Sequence, residues 1–193
     1  DLFKKMKDLV NEGQIVISIM AGVTIKSIQD QLGLQKVVRA MPNLPAQIGK
    51  GVTSYTASKE VSRIELLTIE NLLDTTGKSI LVSSEKFIDA STGISGSGPA
   101  YVFYFMQSMM EAALKMGFSG NDSKMLVSQT FEGAVDLFNQ SDLSPNSWME
   151  RVASKGGTTR AALDSMEDNN VKELIKEAAY SAFNRAVELG KDK

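Results

Sequence analysis

Residues 15–40 read IVISIMAGVTIKSIQDQLGLQKVVRA, and this stretch decides the fold class. It opens with a continuous, largely β-branched run over 15–19, which is typical of a buried strand. The apolar spacing over 23–32 predicts a helix, and Gly33 is the kind of residue that ends one. A second strand is predicted at 36–40. This β-α-β order predicts a mostly parallel sheet.

The same α/β pattern extends outward on both sides of that stretch. An amphipathic helix is predicted at the start of the chain, and downstream a helix over 59–75 separates predicted strands at 51–57 and 79–82. After Ser84 the strand pattern stops. Helices are predicted over 99–116, 122–139, 145–153, 159–167 and 171–189. The chain is therefore expected to change from α/β to all-α near Ser84.

Composition excludes several functional classes. A formal charge of −2 and a pI near 5.3 argue against nucleic-acid binding, which requires a concentrated basic patch. The longest apolar run, 100–110, is broken by Gln107 and Ser108 and is too short to span a bilayer. The absence of cysteine fits a cytoplasmic enzyme and excludes thiolate chemistry. Without histidine, acid–base work falls to other side chains, to solvent or to the substrate.

Two glycine-rich segments each lead into a predicted helix. The first is TGISGSGPAY at 92–101, where Pro99 fits the first helical position, and the second is SKGGTT at 154–159. A tight turn before a helix leaves backbone N–H groups that can bind a carboxylate or a phosphate. The alternative for 154–159 is an ordinary glycine turn that is capped by threonine.

Four motifs in order along the chain carry a family resemblance. They are ISIMAG at 17–22, VRAMPN at 38–43, SGSGPAY at 95–101 and SKGGTT at 154–159, and together they resemble the pyrroline-5-carboxylate reductases. The resemblance implies that 1–84 is the C-terminal portion of a dinucleotide-binding Rossmann domain. It implies that 85–193 is a helical dimerisation and substrate-binding domain, and that the protein is a homodimer or a higher homo-oligomer.

The implied activity is reduction of 1-pyrroline-5-carboxylate to L-proline by NADPH or NADH, with no metal. The resemblance assigns the substrate carboxylate to the SKGGTT turn, through Ser154, Gly156, Gly157, Thr158 and Thr159. It assigns the catalytic contact with the ring nitrogen to the Thr159 hydroxyl, as hydrogen-bond partner or proton donor. It assigns the cofactor to two segments, Met20, Ala21 and Gly22, and Met41, Pro42 and Asn43.

Two departures from the family pattern stand out. The chain contains no G-x-G-x-x-G loop for the cofactor pyrophosphate, so we expect it to begin within a Rossmann domain and to be inactive by itself. Lys155 stands where the family usually has proline. It either adds a cation beside the anion site or lies in solvent.

Three alternatives remain open at this point. The chain could be an oligomerisation and anion-binding module without activity, or a related imine reductase with another substrate. It could also be similar to the β-hydroxyacid dehydrogenases, whose signature is G-x-x-G-x-G-x-x-x-K-x-x-N. That signature needs a catalytic lysine and an asparagine, and the chain has Val102 and Phe105 at those positions. The helix at 100–106 is apolar on most sides, which predicts an intersubunit contact.

Overall fold

The computed structural model describes residues 2–191, which form two compact units. One unit runs to Pro99 and resumes at Ala178, and the other is Ala100–Glu177. The last strand ends at Leu81. The predicted change near Ser84 is thus a change of secondary-structure type, and Ser84 as a domain boundary stays a prediction.

The first unit begins as the sequence predicts. Its elements up to the second strand are α1 (Leu2–Met6), β1 (Val16–Ser18), α2 (Ile25–Leu32) and β2 (Val37–Met41). A 3-10 turn (Leu44–Ile48) leads to β3 (Gly51–Ala57), α3 (Arg63–Asp74), β4 (Gly77–Leu81) and α4 (Glu85–Ser91). Gly33 ends α2 with φ 71° and its N–H donates to the Gln29 carbonyl, so the predicted stop signal is confirmed.

The described strands form one sheet in the order β1-β2-β3-β4. The β1–β2 and β3–β4 pairings are parallel, which confirms a mostly parallel sheet. The β2–β3 pairing is antiparallel, with Met41 opposite Ser54. The reason is the short connection over 42–50, which has no crossover helix of the kind that parallel neighbours need.

The two faces of the sheet bury different clusters. Side chains of β2 alternate between the faces, so Val37 packs with α2 while Val38 and Ala40 pack with Tyr55 and α3. Arg39 lies between Val38 and Ala40 and therefore faces the same side as Val37. This alternation places a charged side chain on a buried face of the sheet.

The sequence did not predict the helical segment before residue 98. A π-helical turn (Thr92–Gly96) continues directly from α4 and leads to α5 (Gly98–Lys115). Seven residues with one buried apolar side chain, Ile88, give α4 no readable period. The glycine-rich segment is therefore part of a continuous helical path.

The predicted later helices are all present, with ends shifted by two residues or fewer. They are α5, α6 (Gly120–Asn139), α7 (Pro145–Val152), α8 (Thr158–Asp168) and α9 (Val171–Lys191). Within the described unit Ala100–Glu177, only Ser123 and Val127 are buried, one helical turn apart on α6. No helix within residues 2–191 is long and apolar enough to cross a bilayer.

Candidate functional site

The two predicted cofactor segments follow neighbouring parallel strands. Met20–Gly22 comes after β1 and Met41–Asn43 lies at the end of β2, so both are at the same edge of the sheet. Gly22 and Met41 are buried, and the other four residues are half-buried. The carboxyl edge of parallel strands is where ligands bind in open α/β sheets. The structure thus brings these six residues together at one edge.

Asn43 uses both ends of its side-chain amide within the protein. Its Nδ2 donates to the Ser95 carbonyl at 3.1 Å, and its Oδ1 accepts from the Val52 N–H at 2.9 Å. Asn43 thereby ties the loop after β2 to the π-helical turn and to β3. The predicted role of Asn43 at the cofactor side stays a prediction, and the structure adds a loop-anchoring role that the sequence did not indicate.

Arg39 forms a buried ion-pair network directly before this loop. The side chain is 2% exposed, and its Nη2 lies 2.6 Å from Asp89 while its Nη1 lies 3.3 Å from Glu85. A buried charge needs such partners because the protein interior solvates it poorly. The network therefore ties β2 to α4. The signal for this network in the sequence is a charged residue within the strand pattern VVRAM.

Glu85 also occupies the N-terminus of α2. Its Oε1 accepts from the Ile25 N–H at 2.8 Å, and the Thr24 hydroxyl accepts from the Ser27 N–H. Two of the backbone donors at this helix start, the N–H groups of Ile25 and Ser27, are therefore already bonded to the protein's own oxygens. These bonds leave fewer donors at the start of α2 for a pyrophosphate.

The SKGGTT segment forms a closed turn in the other unit. The Gly157 N–H donates to the Ser154 carbonyl at 3.0 Å, and Gly156 has φ +70°, a value that glycine adopts without strain. A Cβ on Gly157 would collide with the Ser154 hydroxyl oxygen. Glycine at position 156 thus allows the backbone angle of the turn, and glycine at position 157 leaves room for the Ser154 hydroxyl.

The turn leads into a helix start that has no side-chain cap within the described residues. Gly157 is the N-cap of α8, and Thr158 and Thr159 are its first two residues. The threonine-capped alternative is therefore wrong. Four other helices differ, because the N-caps of α2, α3, α6 and α7 are hydroxyl side chains that accept a backbone hydrogen bond: Thr24, Ser62, Ser119 and Ser144. The N-cap of α4, Ser84, makes no such bond.

The amides at the start of α8 are therefore free to meet a ligand. Among the described residues, the first amide of this helix that bonds back to the turn is that of Ala161, to the Gly157 carbonyl. The two cations nearby in the sequence differ. Arg160 pairs with Asp164 at 3.4 Å, whereas Lys155 is exposed and pairs with no carboxylate in the described part of the chain.

Comparison with known proteins identifies the class of protein to which both parts of the chain, the α/β part and the helical part, are similar. The family described as "Pyrroline-5-carboxylate reductase dimerisation" matches residues 85–189, more than half of the chain. The solved structure of a pyrroline-5-carboxylate reductase from Coxiella burnetii has a TM-score of 0.89 and 36% identity, and the match covers 97% of this chain and 70% of that one. A Plasmodium falciparum pyrroline carboxylate reductase with NADP bound has a TM-score of 0.91 and 31% identity, covering 97% and 75%.

Sequence relatives agree with the structural ones. Pyrroline-5-carboxylate reductase 2 of Bacillus subtilis is 38% identical over 91% of this chain, and the Pseudomonas aeruginosa pyrroline-5-carboxylate reductase is 37% identical over 91%. The chain belongs to the pyrroline-5-carboxylate reductase family. It spans 63% and 65% of the length of these two relatives. Family membership decides against the β-hydroxyacid dehydrogenase alternative.

Proposed function

We propose that this protein takes part in the reduction of 1-pyrroline-5-carboxylate to L-proline by NADPH or NADH. The observation that carries the proposal is the SKGGTT turn before the uncapped α8, in a chain that belongs to this family. The Plasmodium falciparum relative, which is solved with NADP bound, supports a nicotinamide cofactor. The absence of cysteine supports a cytoplasmic location.

The substrate carboxylate binds at the start of α8. The amides of Thr158 and Thr159 point along the helix axis, and the positive end of the helix dipole favours an anion there. The Ser154 hydroxyl, which lies against Gly157, adds a side-chain donor. Because the carboxylate has the same charge before and after reduction, this part of the site contributes to binding more than to the rate.

The Thr159 hydroxyl bonds the ring nitrogen. A hydride adds to the carbon of the C=N bond, the π electrons move to nitrogen, and the nitrogen of the amine product carries the proton. Where Thr159 donates to the imine nitrogen, its bond strengthens as the π electrons move to that nitrogen. Where the imine is already protonated, Thr159 accepts from its N–H and orients the ring. A protonated imine is electrophilic by itself, and the chain therefore needs no histidine as general base.

The residues of the sheet edge fit one half of the cofactor. The half-buried Met20, Ala21 and Pro42, with the buried Met41 beside them, offer a mainly apolar surface to a planar ring. A reduced nicotinamide supplies the hydride when it is bound. The pyrophosphate half has no G-x-G-x-x-G loop in these 193 residues, and Glu85 occupies the start of α2. This favours a second candidate, a substrate-binding and oligomerisation module without activity of its own.

We propose further that the helical part is the contact of a homodimer or a higher homo-oligomer. Apolar side chains of α5 are exposed, among them Val102, Phe103 and Met109. An apolar groove of about 430 Å³ lies within the same unit, lined by Met109, Phe131, Phe138 and Pro145 among others. Exposed apolar surface on this scale is typical of protein interfaces. The dimerisation family that matches residues 85–189 supports this interpretation.

The test is an assay of proline formation from 1-pyrroline-5-carboxylate with NADPH or NADH at millimolar concentration. At micromolar cofactor we expect this chain to be inactive by itself, because it has no pyrophosphate loop. At millimolar cofactor we expect slow turnover, because the cofactor is held mainly by its nicotinamide side. A folded, dimeric chain that binds the imino acid in calorimetry and forms no proline would reject the reductase and favour the binding module. A chain that does neither would contradict both.

A further inference from the structure

One face of the second half of α9 is built from small residues and one aromatic residue. Ala179, Phe183, Ala186 and Gly190 follow each other at spacings of four, three and four, so they share one side of the helix. Ala186 is 1% exposed. This stretch of α9 belongs to the unit that contains the sheet. The spacing identifies a packing face, and the contacts below identify what it packs against.

The end of this face lies against Gly22. Gly22 has φ +70°, and a Cβ there would be 2.7 Å from the Leu189 carbonyl carbon and 2.9 Å from the Gly190 nitrogen. In return, a Cβ on Gly190 would be 3.4 Å from the Gly22 carbonyl oxygen. The atoms that a Cβ on Gly22 would meet are backbone atoms, which cannot rotate away, whereas a Cβ on Gly190 would make an ordinary van der Waals contact. The turn after β1 and the end of α9 therefore meet backbone to backbone.

The start of the face lies against the π-helical turn. A Cβ on Gly93 would be 2.8 Å from the Ala179 carbonyl oxygen and 3.0 Å from the Phe183 nitrogen. This turn holds the other cofactor segment, because the Ser95 carbonyl accepts the Asn43 amide at 3.1 Å. The α9 face thus contacts the Met20–Gly22 segment directly and the Met41–Asn43 segment through one intermediate turn.

We propose that this face of α9 is a positioning surface for the nicotinamide side, with Gly22 and Gly93 as its positioning residues. The proposal rests on the proposed function for its effect on the reaction. Misplacing a reacting group by about 1 Å lowers the rate about 100-fold. A surface that fixes both loops therefore controls the rate of hydride transfer without contacting the reacting groups. Any side chain at Gly22 pushes the turn away from α9.

The test compares Gly22→Ala with Gly33→Ala. Gly22 lies two residues before the N-cap of α2, and Gly33 is the C-cap of α2. Gly33 has φ +71°, and a Cβ there meets nothing within 4 Å. Both variants carry the same cost of a left-handed backbone, so the difference between them isolates the contact with α9. We expect faster amide hydrogen exchange at 20–25, 92–96 and 179–190 in Gly22→Ala than in Gly33→Ala. Equal exchange in the two variants would overturn the proposal.

A second pair keeps the test informative if Gly22→Ala does not fold. Gly93→Ala adds a methyl group 2.8 Å from the Ala179 carbonyl oxygen, whereas Gly133→Ala places one on α6 in open space. Neither glycine has a positive φ, so the backbone accepts alanine at both positions. We expect faster exchange at 92–96 and 179–190 in Gly93→Ala alone. Unchanged exchange there would also overturn the proposal.

The kinetic arm separates this proposal from the proposed function. With imine reduction as the assay, we expect Gly22→Ala and Gly93→Ala to raise the KM for NADPH or lower kcat by about tenfold or more. The KM for the imino acid should change by less than about twofold in these variants. The control variants Gly33→Ala and Gly133→Ala should change none of these constants by more than about twofold. If the wild-type chain shows no turnover, the proposed function fails, while hydrogen exchange still decides whether α9 positions the two loops.

Discussion

The sheet-containing unit and the helical unit Ala100–Glu177 differ in what they bury. The first unit has two internal apolar clusters on opposite faces of its sheet, whereas the described residues of the second bury only Ser123 and Val127. The first is stabilised by contacts within the chain. The second leaves apolar helix faces exposed, as is typical of a surface that contacts another molecule. The comparison teaches that one region of a chain can bury an apolar core of its own while another region leaves its apolar surface exposed.

The candidate site residues of the two units show a similar contrast. The segments at the sheet edge are held by Arg39, Asn43 and the α9 face, all through buried or half-buried contacts. The turn that begins at Ser154 is closed by a backbone hydrogen bond and leads to unbonded amides. The segments at the sheet edge are thus held by contacts within their own unit, whereas the amides at the start of α8 are open.

The largest expected effect tests whether the helical unit depends on a partner. Phe103→Asp places a charge on a side chain that is 57% exposed in the single chain and is buried in the proposed dimer. We expect aggregation or unfolding, because an obligate interface resembles a core cut in half. Ile64→Asp is the control, since Ile64 is 78% exposed on α3 and outside the proposed interface. Light scattering and circular dichroism at micromolar concentration measure both.

A stable wild-type monomer at that concentration would break the comparison between the units. So would a Phe103→Asp variant that behaves like Ile64→Asp. Either result would mean that the helices are stabilised within one chain.

The second prediction tests whether the sheet unit depends on its buried charge. Arg39→Met removes the cation between Glu85 and Asp89 and should cost about 3 kcal/mol in the free energy of unfolding. This cost is at the lower end of the range for breaking a buried ion pair, because both carboxylates keep some contact with solvent. Urea denaturation measures it. The control is Lys36→Met, which breaks the half-exposed pair with Glu65 at 2.6 Å and should cost much less.

Equal losses in Arg39→Met and Lys36→Met would contradict the assigned role of the network. The Lys36 hydrogen bond lowers the pKa of Glu65 to about 2, so the control pair keeps its charge at neutral pH. The two variants therefore differ chiefly in the burial of the ion pair that each one breaks.

The third prediction concerns the open half of the site. Thr159→Val keeps the shape of the side chain and removes the hydroxyl that we propose bonds the ring nitrogen. Losing a hydrogen bond that strengthens during the reaction should cost about 1.5–3 kcal/mol, or about ten- to a hundredfold in kcat. Thr158→Val is the matched control, because only its backbone amide is assigned to the substrate. Steady-state kinetics of imine reduction measure both variants.

Ser154→Ala should instead mainly raise the KM for the imino acid, since the carboxylate is bound equally before and after hydride transfer. If Thr159→Val raised only this KM, Thr159 would be a binding residue and the assigned catalytic role would be wrong.

The local sequence pattern predicted most of the helices and strands. The position of α4 and the packing of the α9 face depend on tertiary contacts. Apolar period and the Gly33 stop signal were sufficient for α2, and the later helices followed from the same rules. The short α4 was not predictable because its position depends on Arg39, a residue far away in the sequence. β3 runs antiparallel to β2 because the connection between them is short, and the length of that connection can be read from the sequence. The family motifs located the candidate site residues, and only the structure located the α9 face behind Gly22.

The smallest expected effect concerns Lys155, where the family usually has proline. Gly156 at φ +70° is the third residue of the turn, so Lys155 is the second, a position whose φ proline matches in such turns. The Lys155 N–H bonds no acceptor within the described residues, so Lys155→Pro should stabilise the chain by about 0.4–1 kcal/mol through the unfolded state. Lys50→Pro is the control, because the Lys50 N–H donates to the Pro45 carbonyl at 3.1 Å and its loss should destabilise. Thermal unfolding measures both. Destabilisation by Lys155→Pro would mean that the turn needs a backbone angle at Lys155 that proline does not allow.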